Sequence, residues 1–448
     1  MATTYLTRTP SSGAATQKAT FSFWVKKANT GGTPNLFRMY TGSTQYVRIR
    51  FEASNKLSFI IINSDSYVVQ LITTQVFRDT SAWYHIVFNM DTTQSTASNR
   101  AKIYVNGEKI TAYDTANYPP TRNATINVTP AGTANHIGTQ VGNSPSFFEG
   151  VMSHVHFTDG YVYEASSFGS TDSTTGQWKI NTSPSVTYGT NGFFILKDGN
   201  TITDSSSNSN NFSLAAGTLT KTEDCPSNVF ATWNGSIGNM DALTNGNTTI
   251  TRGGSGWRGA FSTISLPSTG KFYCEFKISS GSNLADLRAG IADETSEGSI
   301  DKQNRGVVNQ LGETTNSISY TASNGNADIN SSTTSSYGAA ISTSNVLGMA
   351  VDMTNKKLYY SKDGVFQNSC DPTSGSTGTG AAFTVTAGRT YLPAIRMRNG
   401  TKGSFNFGNG VFVTTAVSSA GTNASGNGVF EYDVPSGYSA LSTKGLNL

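Results

Sequence analysis

Apolar and polar positions alternate along most of this chain, and the alternation is densest between Trp83 and Glu108. There W-Y-H-I-V-F-N-M-D is followed by a polar loop and then A-K-I-Y-V-N-G-E. Successive strand side chains point to opposite faces. Trp83, His85 and Val87 therefore share one face, and Tyr84, Ile86, Phe88 and Met90 share the other. Both faces are largely apolar, which predicts a strand covered on both sides. Residues 102–105 form a second strand, closed by Asn106-Gly107, a dipeptide that accepts positive φ at both centres of a tight hairpin. The same phrase returns at 346–364: V-L-G-M-A-V-D-M, a Thr354-Asn355 link, then K-K-L-Y-Y-S-K-D-G. The two hairpins are read as the centres of two separate β domains. Their flanking residues do not match, so they are not copies of one repeat.

Shorter strands fill the rest. Phe21, Phe23 and Val25 share a face, and segments 37–40, 46–51, 57–62 and 67–73 follow as a meander. Further strands are expected at 136–138, 147–157 and 191–196, with a single helical turn starting near Ala165. Residues 204–211, D-S-S-S-N-S-N-N, are too polar to pack and read as loop. In the second half, Phe272, Cys274 and Phe276 alternate inward, and 259–264, 288–292, 317–320, 391–397 and 403–407 continue the sheet. Residues 321–336 read as a Ser/Asn/Gly-rich loop. Short strands at regular spacing indicate sandwiches, so the expected fold class is all-β, with two antiparallel β-sandwich (jelly-roll) domains in tandem. The boundaries are 1–215 for the first sandwich, 216–250 for a connector lying on a surface, 251–415 for the second, and 416–448 for a tail packed on the second domain or used in assembly.

Composition sharpens this. The 448 residues are too many for one ordinary core. Charged residues make up only 13%, about half the usual share. Ser, Thr and Asn take their place, which gives a surface rich in hydroxyl and amide groups, suited to neutral sugars or to further copies of the chain. A net charge of +3, spread along the sequence, makes no electrostatic case for nucleic acid. No run approaches the length of a membrane span. The opening M-A-T-T-Y-L-T-R has no apolar stretch, so no secretory signal is expected. Cys225, Cys274 and Cys370 are odd in number and far apart, so free thiols made in a reducing cytosol are expected.

Four phrases of the first half, Y-L-T-R-T-P at 5–10, A-W-Y-H-I-V at 82–87, K-I-Y-V-N-G at 102–107 and H-V-H-F-T-D-G at 154–160, resemble laminin-G/concanavalin A-like domains, in particular those of tailed-bacteriophage structural proteins of marine type. The second half resembles a SPRY domain through G-K-F-Y-C-E-F at 270–276, G-I-A-D-E at 290–294, G-M-A-V-D-M at 348–353, L-Y-Y-S-K-D-G at 358–364, Y-L-P-A at 391–394 and F-N-F-G at 405–408. Phrases at 224–232 and 435–443 are similar to those flanking this domain in the same phage proteins. The resemblance implies two antiparallel sandwiches and a virion part: a tail fibre, another appendage or a capsid-surface protein, made in the bacterial cytoplasm. Such a part is expected to assemble as a homo-oligomer and to touch host-surface glycans or neighbouring virion proteins.

Candidate sites are few. Glycan hydrolases on such scaffolds need two carboxylates flanking the scissile bond. The nearest strand-borne set is Glu431 with Asp433, but Pro435 interrupts it and Ser436 stands where a second Glu belongs. No catalytic residue is therefore expected, and the chain is read as a non-enzyme, with a glycan depolymerase and a purely architectural protein as alternatives. His154 and His156 have ligand spacing but lack the three or four partners of a stable site, and packed sheet histidines are the simpler reading. No cofactor is expected. Calcium is the one metal with candidate ligands, Asp159 and Asp204, since hard oxygens in turns are what it needs; capping of turns is the alternative. SPRY domains bind through loops at one end, which makes Trp257 and Arg258, in a Gly-rich loop, the candidate recognition pair, with burial of Trp257 as the alternative.

Overall fold

In the computed structural model the described residues are 3–140, 146–238, 240–281, 287–293, 311–313, 316–329, 332–334 and 336–447. Glu294, the last residue of the G-I-A-D-E phrase, lies outside them. The chain divides into two compact units, Met1–Leu219 and Thr220–Leu448.

The first unit is a sandwich of two antiparallel sheets. One has eight strands, in the order Tyr113–Asn117, Ser66–Val76, Lys56–Asn63, Gln45–Phe51, Asn35–Gly42, Asn135–Ile137, Tyr5–Arg8 and Ser213–Ala216. The other has six, in the order Glu108–Lys109, Ala101–Val105, Trp83–Asp91, Lys18–Lys27, Gly150–Asp159 and Phe193–Ile195. Alternation decides what lies between them. Phe21, Phe23, Val25, Ile86, Phe88 and Met90 meet Phe37, Met39, Val47, Ile49, Phe59 and Ile61 in one buried core. The opposite face of the Trp83–Asp91 strand is covered too: Val87 and Tyr104 pack with Ala165 and Phe168, beside the half-buried Trp178. The two-sided cover read from the sequence is thus observed, and the helical turn is present at Ala165–Ser167. Asn106 and Gly107 both have positive φ, as do Asp363 and Gly364.

The second unit is again two sheets. Seven strands run Trp233–Gly238, Arg258–Ser262, Tyr391–Met397, Leu287–Asp293, Ser317–Thr321, Ala327–Ile329 and Ser332–Thr334. The facing sheet is built on Lys271–Ser280, paired to Val346–Asp352 on one side and Thr401–Asn406 on the other. Phe272, Cys274 and Phe276 do point into the core. The three cysteines are unpaired thiols.

Two segments differ from the expectation. Residues 216–250 are not a connector lying on a surface: Trp233–Gly238, Ala242–Thr244 and Thr249–Arg252 are strands of the second unit. Trp233 is fully buried against Phe405 and Phe407. The segment reads as a connector because it is rich in Thr, Asn and Gly, but its strands need few apolar anchors when their neighbours supply the rest. The supposed loop 321–336 contains the Ala327–Ile329 and Ser332–Thr334 strands. The tail packs on the second unit, the first of the two placements expected for it. Ser439–Ala440 pairs in parallel with Lys271–Ser280, and Phe430, Val434 and Tyr438 bury against Tyr273 and Tyr359.

Candidate functional site

The outer face of the eight-stranded sheet brings cationic and aromatic side chains together. In the Gln45–Phe51 strand, Val47 and Ile49 enter the core, so Tyr46, Arg48 and Arg50 must point outward. The neighbouring Asn35–Gly42 strand turns Arg38 and Tyr40 to the same side, because Arg38 stands directly opposite Arg48 and Tyr40 opposite Tyr46. Register carries both rows further. His136 lies across from Arg38, Ile60 across from Arg48, and Gln70 across from Ile60. Ile62 lies across from Tyr46, and Tyr67 across from Ile62. A row of His136, Arg38, Arg48 and Gln70, interrupted by Ile60, therefore runs beside one of Tyr40, Tyr46 and Tyr67, interrupted by Ile62.

Burial differs along the rows. Tyr40 and Tyr67 are 45% and 49% exposed, whereas Arg38 is 5% exposed. The Arg38 guanidinium lies 4.1 Å from the Tyr46 ring centroid and 4.7 Å from that of Tyr40, an arrangement that attracts a desolvated cation to the ring face. Burial, followed by the repulsion of Arg48, pushes its pKa down to about 10, so it stays charged at neutral pH. Its Nε and Nη1 make no hydrogen bond among the described residues. Arg50 differs, because Glu52 takes it through two hydrogen bonds, Nε to Oε1 at 3.0 Å and Nη2 to Oε2 at 2.7 Å.

The residues singled out from sequence fall elsewhere. Asp204 is buried, and both its oxygens are filled by donors: Phe194 N–H and Ser206 N–H on Oδ1, Ser206 Oγ–H and Asn210 N–H on Oδ2, at 2.7–2.9 Å. Asp159 Oδ2 accepts from the Asn191 backbone and side-chain amides, both at 3.1 Å. A ring of N–H groups holds a carboxylate in a turn, whereas Ca²⁺ asks for further oxygens. His154 does not continue the alternation: its φ of +49° marks a bulge in the Gly150–Asp159 strand. His156 stacks on Phe194 at 4.0 Å, and its Nδ1 meets the Tyr188 hydroxyl at 3.0 Å. Both are packed sheet histidines. Glu431 and Asp433 belong to no strand, and Asp433 Oδ1 caps the Thr422 N–H at 2.6 Å.

Trp257 is half-buried and lies outside the apolar core of its unit. Its ring is roofed by Arg396 and Arg398, whose guanidiniums are 4.0 and 4.4 Å from the centroid. Arg396 pairs in turn with Glu313 at 2.7 Å. Arg258 opens the Arg258–Ser262 strand instead of sitting in the loop. The sequence reading missed the Arg–Tyr face altogether. Its signal was the strict alternation Y-V-R-I-R-F at 46–51, which already places Tyr46, Arg48 and Arg50 together.

Residues 2–166 match the family model described as the concanavalin A-like lectin/glucanases superfamily. No curated protein matches the chain in sequence. Among solved structures the chain is similar to the SPRY domain of human HERC1, at 14% identity and a TM-score of 0.30, over 39% of this chain and 96% of that one. It is also similar to a native heptameric SAP-like pentraxin from Limulus polyphemus, at 15% identity and a TM-score of 0.27, over 36% of this chain and 72% of that one. A human SPRY domain matches at 14% identity and a TM-score of 0.27, over 35% of this chain and 90% of that one. No helix among the described residues is long and apolar enough to cross a membrane. The family match over residues 2–166 gives the first unit a concanavalin A-like β-sandwich of the lectin/glucanase type.

Proposed function

We propose that the chain is a non-enzymatic virion protein of a tailed bacteriophage, carried as a tail fibre, appendage or capsid-surface protein, and that it holds host-surface glycan on the eight-stranded sheet of its first unit. The observation that carries this reading is the pair of outer-face rows. Tyr40 and Tyr67 offer half-exposed rings on a lectin-type sandwich, and hydrogen-bonding side chains run beside them. Rings with a polar tip are suited to a wet, partly apolar surface such as a pyranose face. Each contact is weak, so copies arrayed on a particle supply the avidity. The virion part of the reading rests on the phrases shared with phage structural proteins, and neighbouring virion proteins and further copies of the chain are its expected partners.

Two measurements test it. An antibody against the chain should label purified particles, and its absence from them rejects the virion placement. On an array of host glycans, the Tyr67→Ala variant should bind about tenfold more weakly than the parent, the loss of one half-exposed ring being on the order of 1.4 kcal/mol. Its melting temperature should not change, because the ring is half exposed. An empty array with the parent chain rejects glycan recognition.

A further inference from the structure

We propose that the outer face of the eight-stranded sheet selects an acidic sugar, one bearing a carboxylate, with Arg38 and Arg48 gripping the carboxylate and Tyr40, Tyr46 and Tyr67 lining the ring faces. This narrows the glycan reading above and rests on it.

The inference starts from a local rule that this sheet breaks. Like charges placed directly opposite on neighbouring strands destabilise the pair, yet Arg38 and Arg48 are set so. Groups that break a local rule without a gain within the fold are expected at functional sites. Arg38 is more than nine-tenths buried, and neither its Nε nor its Nη1 has a hydrogen-bond partner among the described residues. The Arg48 Nε is in the same condition. The carboxylate next along the strand does not serve them, since Glu52 is held by Arg50 through both oxygens. What remains is a pair of planar forks on the outer side of the sheet, set beside the Tyr46 ring, whose unpartnered nitrogens are covered in the free chain. A guanidinium fork matches the two oxygens of a carboxylate. The ligand's other chemistry follows from the aromatic row beside the cations. Strands lie about 4.8 Å apart, a spacing close to the advance of one pyranose unit, so a polysaccharide crossing the strands meets one outward side chain per sugar.

The test uses the full chain and three probes: polygalacturonate, the same polymer methyl-esterified, and a single-stranded oligonucleotide. The polyuronate should bind at least tenfold more tightly than its ester. Arg38→Met should weaken polyuronate binding about 10- to 100-fold, the range of a lost charged hydrogen bond, and leave ester binding unchanged. Arg48→Met, at a half-buried position, should do the same and covers the case in which the first variant folds poorly. Removing one of two opposed charges should also leave the melting temperature level or higher. Equal binding of acid and ester overturns the carboxylate grip while leaving glycan recognition standing. A flat polyuronate titration overturns it as well, and the Tyr67→Ala array then judges the broader reading alone. Oligonucleotide binding that falls with the same substitutions assigns the face to nucleic acid and overturns the proposal.

Discussion

Lowering the pH from 7 to 5 is expected to weaken the first unit and strengthen the second. All four histidines, His85, His136, His154 and His156, lie in the first unit. His85 shows why they resist protons. Its Nδ1 accepts the Trp178 indole N–H at 3.0 Å, so its one proton sits on Nε2, facing Ser22 Oγ at 2.9 Å. A second proton would confront the indole N–H with another N–H. Burial pushes His85 down to about 3 and His154 down to about 4, and carries His156 well below the ordinary range. A base with a depressed pKa contributes stability that is complete above the unfolded value of 6.5 and is lost as the pH falls toward the folded value. At pH 5 the loss is about 2 kcal/mol for each of His85 and His154.

The second unit has no histidine, and it buries Glu275 completely. This carboxylate accepts the backbone N–H groups of Glu431 and Tyr432, both at 2.8 Å, and so pins the tail to the Lys271–Ser280 strand. Desolvation still outweighs those bonds and lifts its pKa to about 7. A carboxyl group raised above the unfolded value of 4.5 favours the folded state most below that value, and the advantage is lost as the pH rises through 7. Going from pH 7 to pH 5 therefore returns about 2 kcal/mol to this unit. Hydrogen exchange followed by mass spectrometry, corrected for intrinsic rates, reads both units in the full chain. Peptides from Trp83–Asp91 should lose protection at pH 5 while those from Lys271–Ser280 gain it. Glu275→Gln should flatten the second response only. Parallel responses of the two units would refute this electrostatic account.

Gly290→Ala is expected to unfold the second unit and spare the first. Gly290 sits in the Leu287–Asp293 strand, hydrogen-bonded between Tyr391–Met397 and Ser317–Thr321. A Cβ there would lie 1.8 Å from the Ile318 carbonyl oxygen. That atom is backbone within the sheet, so it has no rotamer through which to move away. Relief requires parting two central strands, at a cost on the order of 3–5 kcal/mol, within the exceptional range for a single substitution. A urea titration followed by peptides of both units should show the second midpoint collapse. An unchanged midpoint would mean that the strands separate more easily than their packing implies.

How much was legible in the sequence follows from the range of each interaction. The Trp83–Asp91 strand and the Asn106-Gly107 and Asp363-Gly364 turns were readable because alternation and positive φ are local properties. The strands within 242–252 were not, since Ile250 is the one strong apolar residue they bury and its neighbours are turn formers by composition. The Arg–Tyr face was half legible. One strand showed its alternation, but only register across three strands sets Arg38 against Arg48 and His136. Asp159 and Asp204 looked like ligands because sequence gives their type and not their surroundings, and those surroundings are N–H donors.

Hydroxyl-radical footprinting of the full chain on host surface polysaccharide tests most directly whether the first unit grips glycan without cutting it. Tyr40, Tyr46 and Tyr67 should become shielded together, Trp257 should not, and the polysaccharide should be recovered at its original length. Shielding that spares those three rings, or polymer that shortens with time, would contradict the account.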